Sequence, residues 1–247
     1  MIRYQIYPSL LDCYADYRNH EEIWETYWGS SEHPSKTIEQ YRDEQFHNVI
    51  DRINRVPYSS AAADRGTALN NLIDALVTGE MDDTIGPWTE SDKMLGYAVK
   101  VNDNPYYFPT AMADELSAYF DGCLTQQFLE ADLPTKFGEV RLYGFADYVD
   151  PFCIHDLKTT SHYSYGKYAD HWQWATYMYC ANEMGMPVKH FEYNVVEIGK
   201  SKWQTYAEGY QYNGAAKLRL TAHVEDFILF IEAYRDLITD KKIFNLQ

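Results

Sequence analysis

The sequence predicts an α+β sandwich with a mixed central β-sheet flanked by helices. Three observations lead there. Two runs rich in β-branched and aromatic residues, 141–149 and 152–159, flank Asp150-Pro151, a dipeptide suited to a tight turn. Helical periodicity dominates both ends of the chain, and the strand patterns are grouped between those helical blocks.

The first eighty residues read as helical. Ser9 is placed to cap a short helix reaching position 17, residues 21–28 continue in that style, and 36–55 follow before Pro57. From 61 to 77, Leu69, Leu72, Ile73, Leu76 and Val77 recur at helical spacing, and Gly79 supplies the stop. Residues 80–109 are weakly patterned and read as an insertion or lid. Residues 109–121 look helical, and 125–132 look like a strand leading through Pro134 and Gly138 into the 141–159 hairpin. A helix is expected over 168–184, closed by Gly185 with Pro187 beyond. Strands follow at 189–198 and 202–210. A last helix spans 215–240, with Val224, Phe227, Ile228, Ile231, Tyr234 and Ile238 as its apolar stripe. No repeat, low-complexity tract or Pro/Gly-rich linker interrupts the 247 residues, so one domain over 1–247 is the simplest expectation.

Composition narrows the function classes. At 46% hydrophobic the chain can bury a core, and no stretch is apolar enough to span a bilayer. The first eighteen residues are too polar and acidic for a signal peptide, so a soluble cytoplasmic protein is expected. Cys13, Cys123, Cys153 and Cys180 lack any zinc-like spacing and read as reduced structural thiols. A net charge of −16 argues against a protein that coats nucleic acid by bulk electrostatics. Any DNA must be held locally, with Lys158, Lys167, Lys200, Lys202 and Arg141 as candidate contacts.

The hairpin carries the chemistry. If Asp150 and Cys153 close the turn, Asp147 falls opposite Asp156, and strand alternation puts Asp147, Asp156 and Lys158 on one face with Phe145, Phe152 and Ile154. Leu157 and His155 point the other way. Opposed carboxylates repel, and a partly apolar setting makes an unpaired charge costly. Lys158 can neutralise one; a divalent cation would neutralise both, and such hard oxygen ligands suit Mg²⁺ or Mn²⁺ rather than zinc. A surface hairpin with two solvated aspartates and one ion pair accounts for the spacing equally well. His155, His162 and His171 read as ordinary histidines.

Downstream, Gln173 and Tyr177 lie four apart and share a helix face. The order GFAD, HDLKTT, QWATY resembles the RecB-like branch of the PD-(D/E)XK nuclease superfamily, in which G-x-x-D precedes D-x-K-T and Q-x-x-x-Y. The matching residues are Gly144, Asp147, Asp156, Lys158, Thr159, Gln173 and Tyr177. YPSLLDCY, residues 7–14, looks like that family's opening helix, and RGTALNNLID resembles its G-T-x-x-H-x-x-x-E segment, with Asn70 in place of histidine and Asp74 in place of glutamate.

This resemblance implies a restriction-endonuclease-like core and metal-dependent hydrolysis of DNA. Asp147, Asp156 and the Leu157 carbonyl would hold one or two Mg²⁺, with Asn70 and Asp74 as further ligands of altered strength. Lys158 would orient or deprotonate the attacking water and stabilise phosphate charge, while Gln173 and Tyr177 would position the site or the DNA backbone. Some relatives hold an iron–sulfur cluster through one early and three late cysteines. Cys13 matches the early position but no cysteine follows Cys180, so no cluster is expected. A phage-type or bacterial exonuclease acting on linear ends or single strands is the preferred expectation, with a recombination protein as one partner and homo-oligomerisation as an option. An endonuclease, or a non-catalytic acidic DNA mimic that inhibits a protein partner, are the alternatives.

Overall fold

The computed structural model describes residues 2–91, 93–200 and 202–244. A short strand β1 (Ile2–Ile6) precedes helices α1 (Pro8–Arg18), α2 (His20–Trp28), α3 (Ile38–Ile53) and α4 (Ala61–Thr78). Three strands follow, β2 (Ile85–Glu90), β3 (Lys93–Val101) and β4 (Asn104–Pro109), then α5 (Thr110–Tyr119). The remainder is β5 (Leu124–Thr135), β6 (Gly138–Val149), β7 (Cys153–Thr160), α6 (Gln173–Glu183), β8 (His190–Ile198), β9 (Trp203–Tyr210) and α7 (Gly214–Ala233), with two short 3-10 turns at the end. The fold is the expected mixed α+β sandwich, a central mixed sheet between helices.

The central sheet runs β1-β6-β7-β8-β9, with β5 pairing the other edge of β6. β1–β6 and β7–β8 are parallel; β5–β6, β6–β7 and β8–β9 are antiparallel. One face packs a large core against α1, α3, α6 and α7, built from Leu10, Leu11, Val49, Met178, Phe191, Leu220 and Phe227 among others. The other packs Tyr148, Leu157 and Val196 against α4, α5 and the β2-β3-β4 sheet, through Leu69, Leu72, Ile73, Phe108 and Met112. With both faces covered, β7 and β8 are buried or half-buried along their whole length despite the polar residues they carry.

Local chemistry sets the helix limits. The Ser60 hydroxyl caps α4 by accepting the Ala63 N–H, and Gly79 ends the helix in the left-handed region at φ 75°. Thr37 and Gln40 form a reciprocal capping box at the start of α3. At α1 the expectation fails: Tyr7 is the cap residue, Pro8 occupies the first turn, and Ser9 lies inside the helix with no capping bond.

Residues 85–109, inside the segment read as an insertion or lid, form a three-stranded antiparallel sheet of their own. Three further readings are corrected. β1 adds a strand where only helices were expected. The helix expected from 168 begins at Gln173, because the Trp172 N–H is taken by the Asp12 carboxylate of α1 at 2.5 Å. The last helix ends at Ala233, after which Arg235–Leu237 turns and places Ile238 in the core.

Candidate active site

The β6–β7 turn is built as the sequence implies. Asp150 N–H donates to the Cys153 carbonyl at 3.0 Å, and Asp150 Oδ1 accepts from Phe152 N–H and Cys153 N–H at 2.6 and 2.8 Å. Tyr148 pairs with His155 and Val149 with Ile154, the register anticipated. The ladder then stops. Asp147 and Asp156 are not a paired set; instead Asp147 Oδ2 accepts the Leu157 backbone N–H at 2.9 Å. β1 pairs with β6 only as far as Leu142, so between Leu142 and Tyr148 this edge of β6 is a notch without a strand partner. Tyr177 fills part of it by donating its hydroxyl to the Phe145 carbonyl at 2.6 Å. Gly144 is required beneath that ring: a β-carbon there would sit 2.8 Å from Tyr177 Cε1 and 3.2 Å from Pro8 Cδ.

Lys158 joins the other elements. Its Nζ lies 2.7 Å from Asp156 Oδ2 and donates to Gln173 Oε1 at 2.7 Å, so one ammonium ties β7 to the first residue of α6. Asp156 is 1% exposed. Burial alone would lower the Lys158 pKa, but the carboxylates of Asp156 and Asp147 outweigh it and hold the amine above its ordinary value. For Asp147 burial comes first and the Asp156 charge second, and both push its carboxyl well above the usual range. The apolar setting predicted from Phe145 and Phe152 is not what does this: those rings are 56% and 62% exposed. Of the three apolar residues placed on this face, Ile154 alone is buried; the site's walls are Tyr177 and Tyr193, the latter with its ring 5.8 Å from the Lys158 ammonium.

α4 supplies the floor. Asn70 Nδ2 donates to the Leu157 carbonyl at 3.4 Å, and Gly66 permits the close approach of α4 to Thr159, whose Oγ1 would be 3.3 Å from an added β-carbon. Asp74 accepts from the Gln126 side chain at 2.9 Å, and burial raises its pKa. Asn70 Oδ1 and Asp74 Oδ1 are buried oxygens with no hydrogen-bond partner, and Asp156 Oδ2 has the Lys158 ammonium alone. Unsatisfied buried acceptors are costly and call for a cation or donor. Among the described residues no three His, Cys, Asp or Glu side chains form a ready-made metal group. The available donors are therefore a carboxylate pair, a peptide carbonyl and a side-chain amide oxygen, and this all-oxygen set fits Mg²⁺ or Mn²⁺ in chemistry.

Asp12 and Gln126 were not singled out from the sequence. Asp12 lies within the YPSLLDCY segment and its carboxyl is pushed up to about 7, chiefly by burial, partly opposed by the Trp172 N–H. With Lys158, Thr159, Gln173, Arg52 and Tyr58 it lines a cavity of about 550 Å³. His155 lies on the far side of β7, held by Asn194 Oδ1 at 3.1 Å and by Asp150 and Glu192, each at 3.3 Å. Of the proposed DNA-contacting cations, Arg141 is taken by Asp132 and Glu130, and Lys167 donates to Thr160 and the His162 carbonyl.

The family model of the PD-(D/E)XK nuclease superfamily matches residues 12–241. The chain belongs to this superfamily. Its members are nucleases and generally use divalent metal ions. No curated protein matches the chain. Among solved structures, the crystal structure of SSO0001 is similar at 11% identity with a TM-score of 0.47, covering 93% of this chain and 78% of the other. No helix among the described residues is long and apolar enough to cross a membrane.

Proposed function

We propose that this PD-(D/E)XK protein is a Mg²⁺- or Mn²⁺-dependent DNA exonuclease of the RecB-like branch, hydrolysing phosphodiester bonds in recombination or end processing. The observation that carries the reading is Lys158, whose ammonium lies 2.7 Å from both Asp156 Oδ2 and Gln173 Oε1 at the wall of a cavity of about 550 Å³. Asp147, Asp156 and the Leu157 carbonyl, with Asn70 Oδ1 beside them, are the atoms that would hold the ion. When bound, the ion polarises the scissile phosphate and acidifies a water.

The chain's own groups do the rest. Lys158 is held charged by its two carboxylates, so it suits binding a phosphate oxygen and stabilising the charge that grows there, more than removing a proton from water. Gln173 fixes the ammonium's direction. Tyr177 acts further back: by holding the Phe145 carbonyl it fixes the strand that presents Asp147. Asp12, by capping α6 at Trp172, sets where Gln173 begins the helix.

Digestion of end-labelled linear, nicked and closed circular DNA with Mg²⁺ or Mn²⁺, beside Asp156→Ala, tests the proposal. Loss of label from linear ends only, absent in the variant, is expected. Cleavage of closed circles would replace the exonuclease with an endonuclease, and inert wild-type protein would remove the nuclease reading.

A further inference from the structure

The acidic pair leaves unexplained a line of aromatic side chains on β5 and β6. Phe128 and Phe145 are directly opposed in the ladder, 45% and 56% exposed, with ring centroids 5.1 Å apart. Tyr143 continues the line 6.4 Å from Phe128, and Tyr7 stands 6.0 Å beyond it. Arg55 ends it, its guanidinium 5.7 Å from the centre of the Tyr7 ring and donating to the Tyr143 hydroxyl at 2.9 Å. The near end is Phe145, two residues before Asp147 and with its carbonyl held by Tyr177.

Single exposed apolar residues need no explanation, but rings in sequence leading to a candidate site do. A π-face stacks on any nucleobase, and each stacked base contributes roughly 1–3 kcal/mol without regard to sequence. Charge decides between a single strand and a duplex. A duplex keeps its base faces stacked inside and shows a protein carrying −16 only base edges between two rails of phosphate, whereas a single strand can turn its bases inward and its phosphates to water. The two acids beside the line, Glu130 and Asp132, are already paired with Arg141 at 2.8 and 2.5 Å, so they add little repulsion. Arg55 at the far end is itself paired with Asp240 at 3.2 Å, so the rings rather than a free charge would carry the binding.

We propose that Tyr143, Phe128 and Phe145 form a stacking track for the unpaired bases of single-stranded DNA, delivering the strand towards Asp147. The direction of travel rests on the nuclease reading; the binding does not. Fluorescence anisotropy of a short labelled oligothymidylate, with EDTA present to prevent turnover, measures it on the intact chain. Phe128→Ala and Phe145→Ala should each weaken binding by roughly 5- to 150-fold. Phe145→Tyr should bind like wild type, and Phe145→Leu, which keeps apolar bulk without a π-face, should bind as weakly as the alanine variant. A strand of the same length without bases should bind wild type and Phe145→Ala equally.

Full affinity in Phe145→Leu, no loss in either alanine variant, or equal loss on the baseless strand would overturn the track. Hydrolysis of a small chromogenic ester of thymidine 5′-phosphate, measured in parallel with Mn²⁺, separates the two ideas. Turnover with base-independent binding retires the track and keeps the nuclease. Base-dependent binding with no turnover of ester or DNA keeps the track and retires the nuclease.

Discussion

The backbone N–H of Leu157 donates to Asp147 Oδ2 at 2.9 Å across the notch where β6 has lost its strand partner. That bond holds a carboxylate where burial and the Asp156 charge both oppose ionisation. Asparagine at 147 keeps an oxygen for the Leu157 N–H and removes the charge. Asp147→Asn should therefore be more stable than wild type in EDTA at pH 8, by on the order of 1–2 kcal/mol. It should gain little from Mn²⁺, where wild type should rise clearly. Thermal unfolding with and without the ion checks both, and an undiminished Mn²⁺ gain in the variant would take Asp147 out of the ligand set.

Asp12 sets a pH dependence whose sign follows from its raised carboxyl. Unfolded, it ionises near pH 4; folded, near 7. Between those values the folded chain holds a proton the unfolded chain has lost, so this contribution is complete below about pH 4 and fades as pH rises through 7. Asp12→Asn can still accept from Trp172 N–H but has nothing to ionise. Its stability should fall less steeply from pH 4 to 8, leaving it ahead of wild type at pH 8 by up to about 4 kcal/mol. Urea unfolding at several pH values measures the slope, and parallel curves would show that Asp12 is not buried as described.

Much of this was readable in the residues, for identifiable reasons. α4 announces itself through five apolar positions at helical spacing and a glycine stop, and the β6–β7 register follows from the turn alone. What hides is whatever distant contacts decide. The aromatic stretch from Tyr168 to Trp172 looks helical, but Asp12, 160 residues away, caps Trp172 and makes the helix begin at Gln173. The strand pattern of β2, β3 and β4 is interrupted in the sequence by Gly86, Pro87, Gly96 and Pro105, and a β-carbon at Gly96 would lie 2.0 Å from the Phe108 carbonyl oxygen. The notch beside Asp147 arises because two different strands share one edge of β6, and single-strand periodicity carries no trace of that.

Lys158 joins stability to activity. Removing its charge strands Asp156 in the interior, and leaving one partner of a buried pair unmatched costs about 3–5 kcal/mol. Lys158→Met should be destabilised by that order and inactive. Adding Asp156→Asn should recover most of the stability and none of the DNA cleavage. If Lys158→Met unfolds like wild type, the pair is solvated and the simple surface hairpin is the better description.

Gly144→Ala tests the packing that presents Asp147. The new β-carbon would lie 2.8 Å from Tyr177 Cε1 and 3.1 Å from its hydroxyl, so the ring must move off the Phe145 carbonyl. Overpacking of this kind costs about 1–3 kcal/mol. Tyr177→Phe removes only the hydroxyl and should cost about 1–2 kcal/mol through the unpaired carbonyl. Chemical denaturation of both variants is the measurement, and a neutral Gly144→Ala would mean the glycine matters for something other than clearance.

Gln126 lies between the paired residues Thr125–Tyr148 and Gln127–Ala146, opposite Asp147, yet makes no ladder pair with it. Its φ of 48° is in the left-handed region, which costs a residue with a β-carbon on the order of 1 kcal/mol. The distortion coincides with a side-chain amide donating to Asp74 at 2.9 Å, so local strain is tolerated where it supports a buried acid. Glycine at 126 separates the two effects. Gln126→Gly should relax the backbone by about 0.5–1 kcal/mol. It also removes the amide that holds Asp74 Oδ2 in place. In EDTA the variant should melt at or slightly above wild type, while its Mn²⁺-induced rise in Tm should shrink. Gln126→Ala keeps the strain and loses the amide, so it should fall below wild type on both measures. A glycine variant whose Mn²⁺ response matches wild type would show that Asp74 lies outside the ion's surroundings and that Gln126 serves only the bend in β5.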